Sequence, residues 1–185
     1  MPSILVGVAV IATLAFSQST IDRGRVTGRQ YKNSFFGFTL TPAESLTFDS
    51  LALAKMPCNL NTCALLAAVA ALNLTRARAT STVYVDKLSY YPGNQRTLDA
   101  YTHKVQRNQL ASGAKLISSG TALDLDDDGT LFTESEFELP IPAREAIYVT
   151  ERNGYVLVFI FTAASEKELK SVIQSTKIKF DQPMR

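Results

Sequence analysis

The chain has 185 residues, 46% of them hydrophobic and 19% charged, which is enough apolar material for one ordinary globular domain and excludes a disordered chain. Its formal charge of +2 hides a segregation: seven carboxylates and no Lys or Arg lie between Ser118 and Ala143, leaving the rest of the chain basic but without a basic block. Nucleic-acid binding calls for a concentrated basic stripe with aromatic partners; none is present, and that class is set aside.

The opening "MPSILVGVAVIATLAFSQS" carries an apolar core from Ile4 to Phe16. A membrane-spanning helix needs about twenty apolar residues, so this run is short for a span and reads as a secretory signal peptide over residues 1–17. Ala15 and Ser17 satisfy the small-residue rule for a cut before Gln18. No Lys or Arg precedes the apolar core, which keeps an uncleaved anchor as the rival reading. The expected location is extracytoplasmic, secreted or periplasmic. Residues 18–30, polar and holding Arg23, Arg25 and Arg29, read as a flexible lead-in to a single domain over 31–181.

In "YKNSFFGFTLTP", Phe36, Phe38 and Leu40 alternate with Gly37 and Thr39, a half-buried strand ended by Pro42. Residues 43–57 permit a short helix. Cys58 and Cys63 follow in "PCNLNTC", a loop-like setting. In an exported chain they form either a disulfide or two half-buried thiols; with no second Cys pair and no His nearby, a structural zinc site is excluded. "CALLAAVAAL" has helix-forming residues but is also what a strand buried on both faces looks like. The strand reading is preferred, because "NLTRARA" then connects it to "TSTVYVDKLSY", which is strongly β in composition. "NLT" at 73–75 also fits a glycosylation acceptor.

After the break at "YPGNQRT", Leu98, Tyr101, Val105 and Leu110 recur at helical spacing behind Thr97 as cap. Tyr90, Tyr91 and Pro92 read as the edge of a binding groove or as loop anchors to the core. Four strands follow: "AKLISSGTALDL", "TLFTESEFEL", "REAIYVTE" and "YVLVFIFTA". Asn153-Gly154 predicts a tight hairpin between the last two. "YVLVFIF", apolar on both faces, predicts a central strand. Ser165 and Glu168 form a capping box ahead of a stripe of Leu169, Val172 and Ile173, with Glu166, Lys167, Glu168 and Lys170 as a solvated face. "KIKF" predicts a last strand with Ile178 and Phe180 inward. The sum is an α+β fold, an antiparallel sheet with helices on both faces.

"YKNSFFGFTLTP", the helix around "LDAY", and "AIYVTERNGYVLVFIFTAASEKELKSVIQSTKIKF" together resemble the PsbP-like domain superfamily, over roughly residues 31 to 180. The resemblance implies an α/β/α sandwich and a mostly non-catalytic, protein-binding role. It supplies no catalytic residues to carry over.

"ALDLDDDGTLF" resembles the start of a calcium loop. Such a loop needs carboxylates at positions one, three and five, Gly at six and a bidentate Glu at twelve. Asp124, Asp126, Asp128 and Gly129 fill the first four, but the twelfth is Ser135, with Glu134 and Glu136 on either side. The flanks are strand-like rather than helical. A tight turn explains Asp and Gly equally well, with Leu123, Leu125 and Leu131 packing inward. The expectation is a turn first, weak calcium binding through Asp124, Asp126, Asp128 and Glu134 second, and a patch of Asp126, Asp127, Asp128, Glu134 and Glu136 able to meet a basic partner.

His103 is the only histidine and falls away from the buried stripe of its helix, a solvated position. No nucleophile elbow, P-loop or dinucleotide fingerprint occurs, so no catalytic or cofactor residues are assigned. The expected function is an exported, non-enzymatic domain that binds another protein or an envelope component. The alternative is an extracytoplasmic hydrolase, which would need a deep pocket with His103 or a carboxylate pair.

Overall fold

Two antiparallel sheets make up the structure, a computed structural model that describes residues 21–181 apart from 60, 74, 75, 123, 124 and 126–128. The expected signal peptide, Leu123, Asp124, Asp126, Asp127, Asp128 and most of the "NLT" acceptor therefore lie outside the described residues. In chain order the elements are β1 (Arg25–Thr27), β2 (Gln30–Asn33), β3 (Phe38–Thr41), β4 (Thr47–Phe48), α1 (Ser50–Lys55), β5 (Thr62–Asn73), β6 (Arg76–Lys87), α2 (Leu98–Ala111), β7 (Lys115–Ala122), β8 (Phe132–Glu138), β9 (Arg144–Arg152), β10 (Tyr155–Ala163), α3 (Glu166–Ser175) and β11 (Lys177–Phe180). The large sheet runs β4-β5-β6-β10-β9-β8-β7, and the small one β1-β2-β3-β11.

The Ala-rich segment is a strand despite its helix propensity, because β5 pairs with β6 from Thr62↔Asp86 to Asn73↔Arg76. Cys63 to Ala68 are all buried, so tertiary burial on both faces overrides local preference. The expected connection "NLTRARA" is mostly strand itself, since β6 begins at Arg76. β10 lies at the centre, between β6 and β9. Its Val156 and Val158 face α2 with Leu88, Tyr101, Phe137 and Ile147. Its Leu157, Phe159 and Phe161 face the opposite way, toward Phe38, Leu169 and Phe180. Phe38 and Phe132 both meet Phe159 edge-on, at centroid distances of 5.7 and 5.8 Å, a favoured aromatic geometry. The Asn153-Gly154 turn has φ of 53° and 76°, as a primed hairpin turn requires.

The fold is α+β, with α2 on one face of the large sheet and α3 on the other. The sequence did not announce the small sheet, which joins α3 in covering that second face. Two expectations change with it. Within the supposed flexible lead-in, Arg25–Thr27 pairs with Gln30–Asn33, and Ile21 is buried. The Tyr31 hydroxyl donates to Arg23 O at 2.7 Å. The "FFGFTL" strand begins only at Phe38, because Asn33 Oδ1 accepts from Phe36 N at 3.0 Å and turns the chain; Phe36 is buried in that turn.

On α2, Thr97 caps the first turn by accepting from Ala100 N, and Tyr101 and Thr102 are buried. Leu110 stands 47% exposed, outside the stripe expected to include it. On α3, Ser165 Oγ accepts from Glu168 N at 3.3 Å, but the Glu168 side chain pairs with Arg78 of β6. Only half the capping box forms; the other half is exchanged for a tie between helix and sheet.

Candidate functional site

Strand alternation turns Tyr84 and Asp86 of β6 toward α2, while Val83 and Val85 enter the opposite core. Asp86 stands level with Thr62 on β5 and Val156 on β10. Three hydroxyls converge on its carboxylate. Thr62 Oγ1 donates to Oδ1 at 2.5 Å; the Tyr101 and Tyr91 hydroxyls donate to Oδ2 at 2.5 and 3.4 Å. The two rings meet edge-on at 5.7 Å, and Lys104 Nζ lies 4.2 Å from the centroid of Tyr91.

Burial, and then the neighbouring Asp86 charge, push the Tyr91 hydroxyl up to about 12 and the Tyr101 hydroxyl further still. At neutral pH both are donors and neither is a base. Beside this cluster, between α2 and the sheet, lies a cavity of about 190 Å³. Tyr84, Ile147, Val158 and Ile160 line it from the sheet, and Val105 and Gln109 from the helix. Past its far end, Glu145 of β9 accepts from Gln109 Nε2 at 2.7 Å and from Thr162 Oγ1 at 3.2 Å. Burial raises the Glu145 carboxyl above the usual carboxylate range, opposed in part by the Thr162 hydrogen bond.

The residues singled out in sequence fall elsewhere. The His103 side chain is 58% exposed, near Asp99 of its own helix, and does not line the cavity. Cys58 and Cys63 are joined by a disulfide across an isolated antiparallel bridge. Tyr91 is an anchor, whereas Tyr90 projects into solvent at 66% exposure. At the acidic turn, Gly129 has φ of 76° and Leu125 is buried. Leu131 does not pack inward as expected: it is 62% exposed, because the chain enters β8 only at Phe132, which takes the buried place.

Glu134, Glu136 and Glu138 alternate with Ser135 and Phe137 along β8, so the three carboxylates share the sheet face turned away from α2. Glu134 accepts from the Tyr148 hydroxyl at 2.7 Å. Their neighbours on the edge strand β7 are Gly120, Ser118 and Lys115. Among the described residues no three His, Cys, Asp or Glu side chains gather as a metal site.

Asp86 was missed in sequence because one carboxylate in a β-branched run reads as an ordinary outward strand position. The available signal was its setting: "VYVDK" and "YY" are separated by only two residues, which brings hydroxyls within reach.

No family model matches the chain, and no curated protein matches it. Among solved structures it is similar to the solution structure of cyanobacterial PsbP (CyanoP) from Synechocystis sp. PCC 6803, with a TM-score of 0.50 and 15% identity over 84% of this chain and 96% of that one. A crystal structure from Bacteroides thetaiotaomicron VPI-5482 matches with a TM-score of 0.36 and 12% identity over 82% of this chain and 48% of its own, too distant in shape to add to the comparison. The fold is PsbP-like.

Proposed function

We propose that the protein is an exported, non-enzymatic PsbP-like domain that binds another protein or an envelope component through the acidic face beside β7. The observation that carries this reading is the carboxylate row of Glu134, Glu136 and Glu138, set next to an edge strand whose residues 117–121 are all exposed. The turn between these strands adds four aspartates in sequence. Lys115 and Arg144 stand level with Glu138 at one end, so the acidity is concentrated toward Glu134, Glu136 and the turn. A predominantly acidic patch speeds encounter with a basic partner and selects against acidic ones. The pairing around Asp86 supports binding over turnover: its hydroxyls are held as donors to a carboxylate, and no nucleophile is activated beside it.

The test is capture of partners from the native host on immobilised protein, wild type against Glu136→Lys with Glu138→Lys. A specific partner that elutes at moderate salt and is lost with the double variant is the expected result. Turnover of a small molecule without any captured partner would overturn the reading. Mass spectrometry of the secreted protein should find a chain beginning at Gln18; an intact Met1 in the membrane fraction would defeat the export assignment.

A further inference from the structure

The geometry points to a small organic-cation site in the cavity under α2, taking a primary ammonium on a short alkyl chain, with Asp86 as counter-ion. This does not depend on the acidic face beside β7.

An ionised carboxylate offers about four lone-pair positions. On Asp86 three are filled: two on Oδ2 by Tyr91 and Tyr101, one on Oδ1 by Thr62. One acceptor direction on Oδ1 is left. The three donors are neutral, and none of the ion pairs among the described residues involves Asp86. Lys104, on the same side, is held over the Tyr91 ring; Lys87, the next residue along β6, lies near the Tyr155 ring at 6.0 Å. The half-buried negative charge thus has hydroxyl dipoles to orient it and no cation against it.

The cavity next to it is apolar along the sheet, where Tyr84, Ile147, Val158 and Ile160 lie, and Asp86 is part of its lining. A carboxylate beside an apolar sheet floor, in an open pocket whose helix side also carries Asn108 and Gln109, matches a ligand with a charged donor at one end and methylenes laid along that floor. The ammonium gives Oδ1 its fourth hydrogen bond, a charge-assisted one, and the alkyl chain covers the floor. A neutral alcohol of the same length would fill the slot without answering the charge, and a carboxylic acid would be repelled.

The probe is n-pentylamine, with 1-pentanol and pentanoate as its neutral and anionic counterparts, followed by amide chemical shifts of the isotopically labelled protein at neutral pH. Pentylammonium should bind at least tenfold tighter than pentanol, with shifts centred on β6 and α2, and pentanoate should bind more weakly than either. Asp86→Asn should bring amine and alcohol to equal affinity. Ile160→Trp, which fills the slot from a partly exposed position and leaves Asp86 and its hydroxyls alone, should abolish binding of both. Equal affinity of amine and alcohol for the wild type would overturn the assignment. So would a preference for the amine that survives Asp86→Asn, shifts centred elsewhere, or no binding of any of the three.

Discussion

The Tyr101 hydroxyl donates to Asp86 Oδ2 at 2.5 Å, and this one bond ties α2 to β6 across the mouth of the cavity. A hydrogen bond to a charged group contributes roughly 1.5–3 kcal/mol. Tyr101→Phe should therefore destabilise the fold by about 2 kcal/mol and lower Tm by about 6 °C in a domain of this size. Tyr91→Phe, removing the longer bond at 3.4 Å, should cost less than half as much. Thermal melts of both variants decide the order, and the reverse ranking would contradict the geometry.

The same hydroxyls predict a response to alkaline pH. Burial raises Tyr91 to about 12, and raises Tyr101 as well, above the ordinary value of 10.0. Above about pH 10 the unfolded chain releases these protons while the folded one keeps them, so the unfolded state binds fewer protons and stability falls as pH rises. Their contribution is fully present below pH 10 and is lost on the way up through their folded values. Urea melts between pH 9 and 11 should show a steeper loss for wild type than for Tyr101→Phe. Parallel curves would show that Tyr101 does not contribute to the slope.

Gly24 tests whether the N-terminal strand belongs to the domain. Its φ is +70°, and an added Cβ would lie 2.5 Å from Lys32 O and 2.7 Å from the Tyr31 hydroxyl. Gly24→Ala should cost about 2–3 kcal/mol through clash and strain together. Gly28→Ala, at φ +57° with open space around it, should cost only about 1 kcal/mol. Equal, negligible effects in chemical denaturation would mean that residues before β2 are not packed as described.

Removing the Cys58–Cys63 disulfide by the paired Cys→Ala change should cost about 2 kcal/mol, the chain-entropy value for so short a loop. Circular dichroism should remain that of the native sheet, because β5 and β6 pair along their whole length beyond it. Loss of the sheet signal would assign the bond a larger role than a local clamp.

Calcium at 10 mM should raise Tm by less than about 3 °C, the shift expected for a site with Kd near 1 mM, and magnesium should act equally. A calcium-selective rise of several degrees, lost on Asp126→Ala with Asp128→Ala, would make the acidic turn a metal site.

The elements with strong local chemistry were legible in sequence. Asn153-Gly154 set its hairpin through left-handed backbone angles, "YVLVFIF" its central place through two apolar faces, and Thr97 and Ser165 their helix starts. The small sheet was hidden, because β1 and β2 are short, polar and exposed on alternate residues or throughout. Their pairing depends on Tyr31 and Asn33 reaching distant backbone. The cavity was hidden for a related reason. Thr62, Asp86 and Tyr101 come together only through the register of β5 with β6 and the crossing of α2, which no local pattern records.

The pairing of β11 with β3, from Lys177↔Thr41 to Phe180↔Phe38, has a consequence for how the chain matures. The small sheet joins segments that lie far apart in the chain, with Leu40 level with Ile178. Contacts of such high sequence separation form late and slow folding, so the β2–β3 hairpin must wait for β11 to be made. A chain lacking residues 177–180 would leave Phe38 and Phe132 without their contact with Phe180 and would be a substrate for aggregation or quality control. The β11 strand thus makes synthesis through Phe180 a condition of solubility.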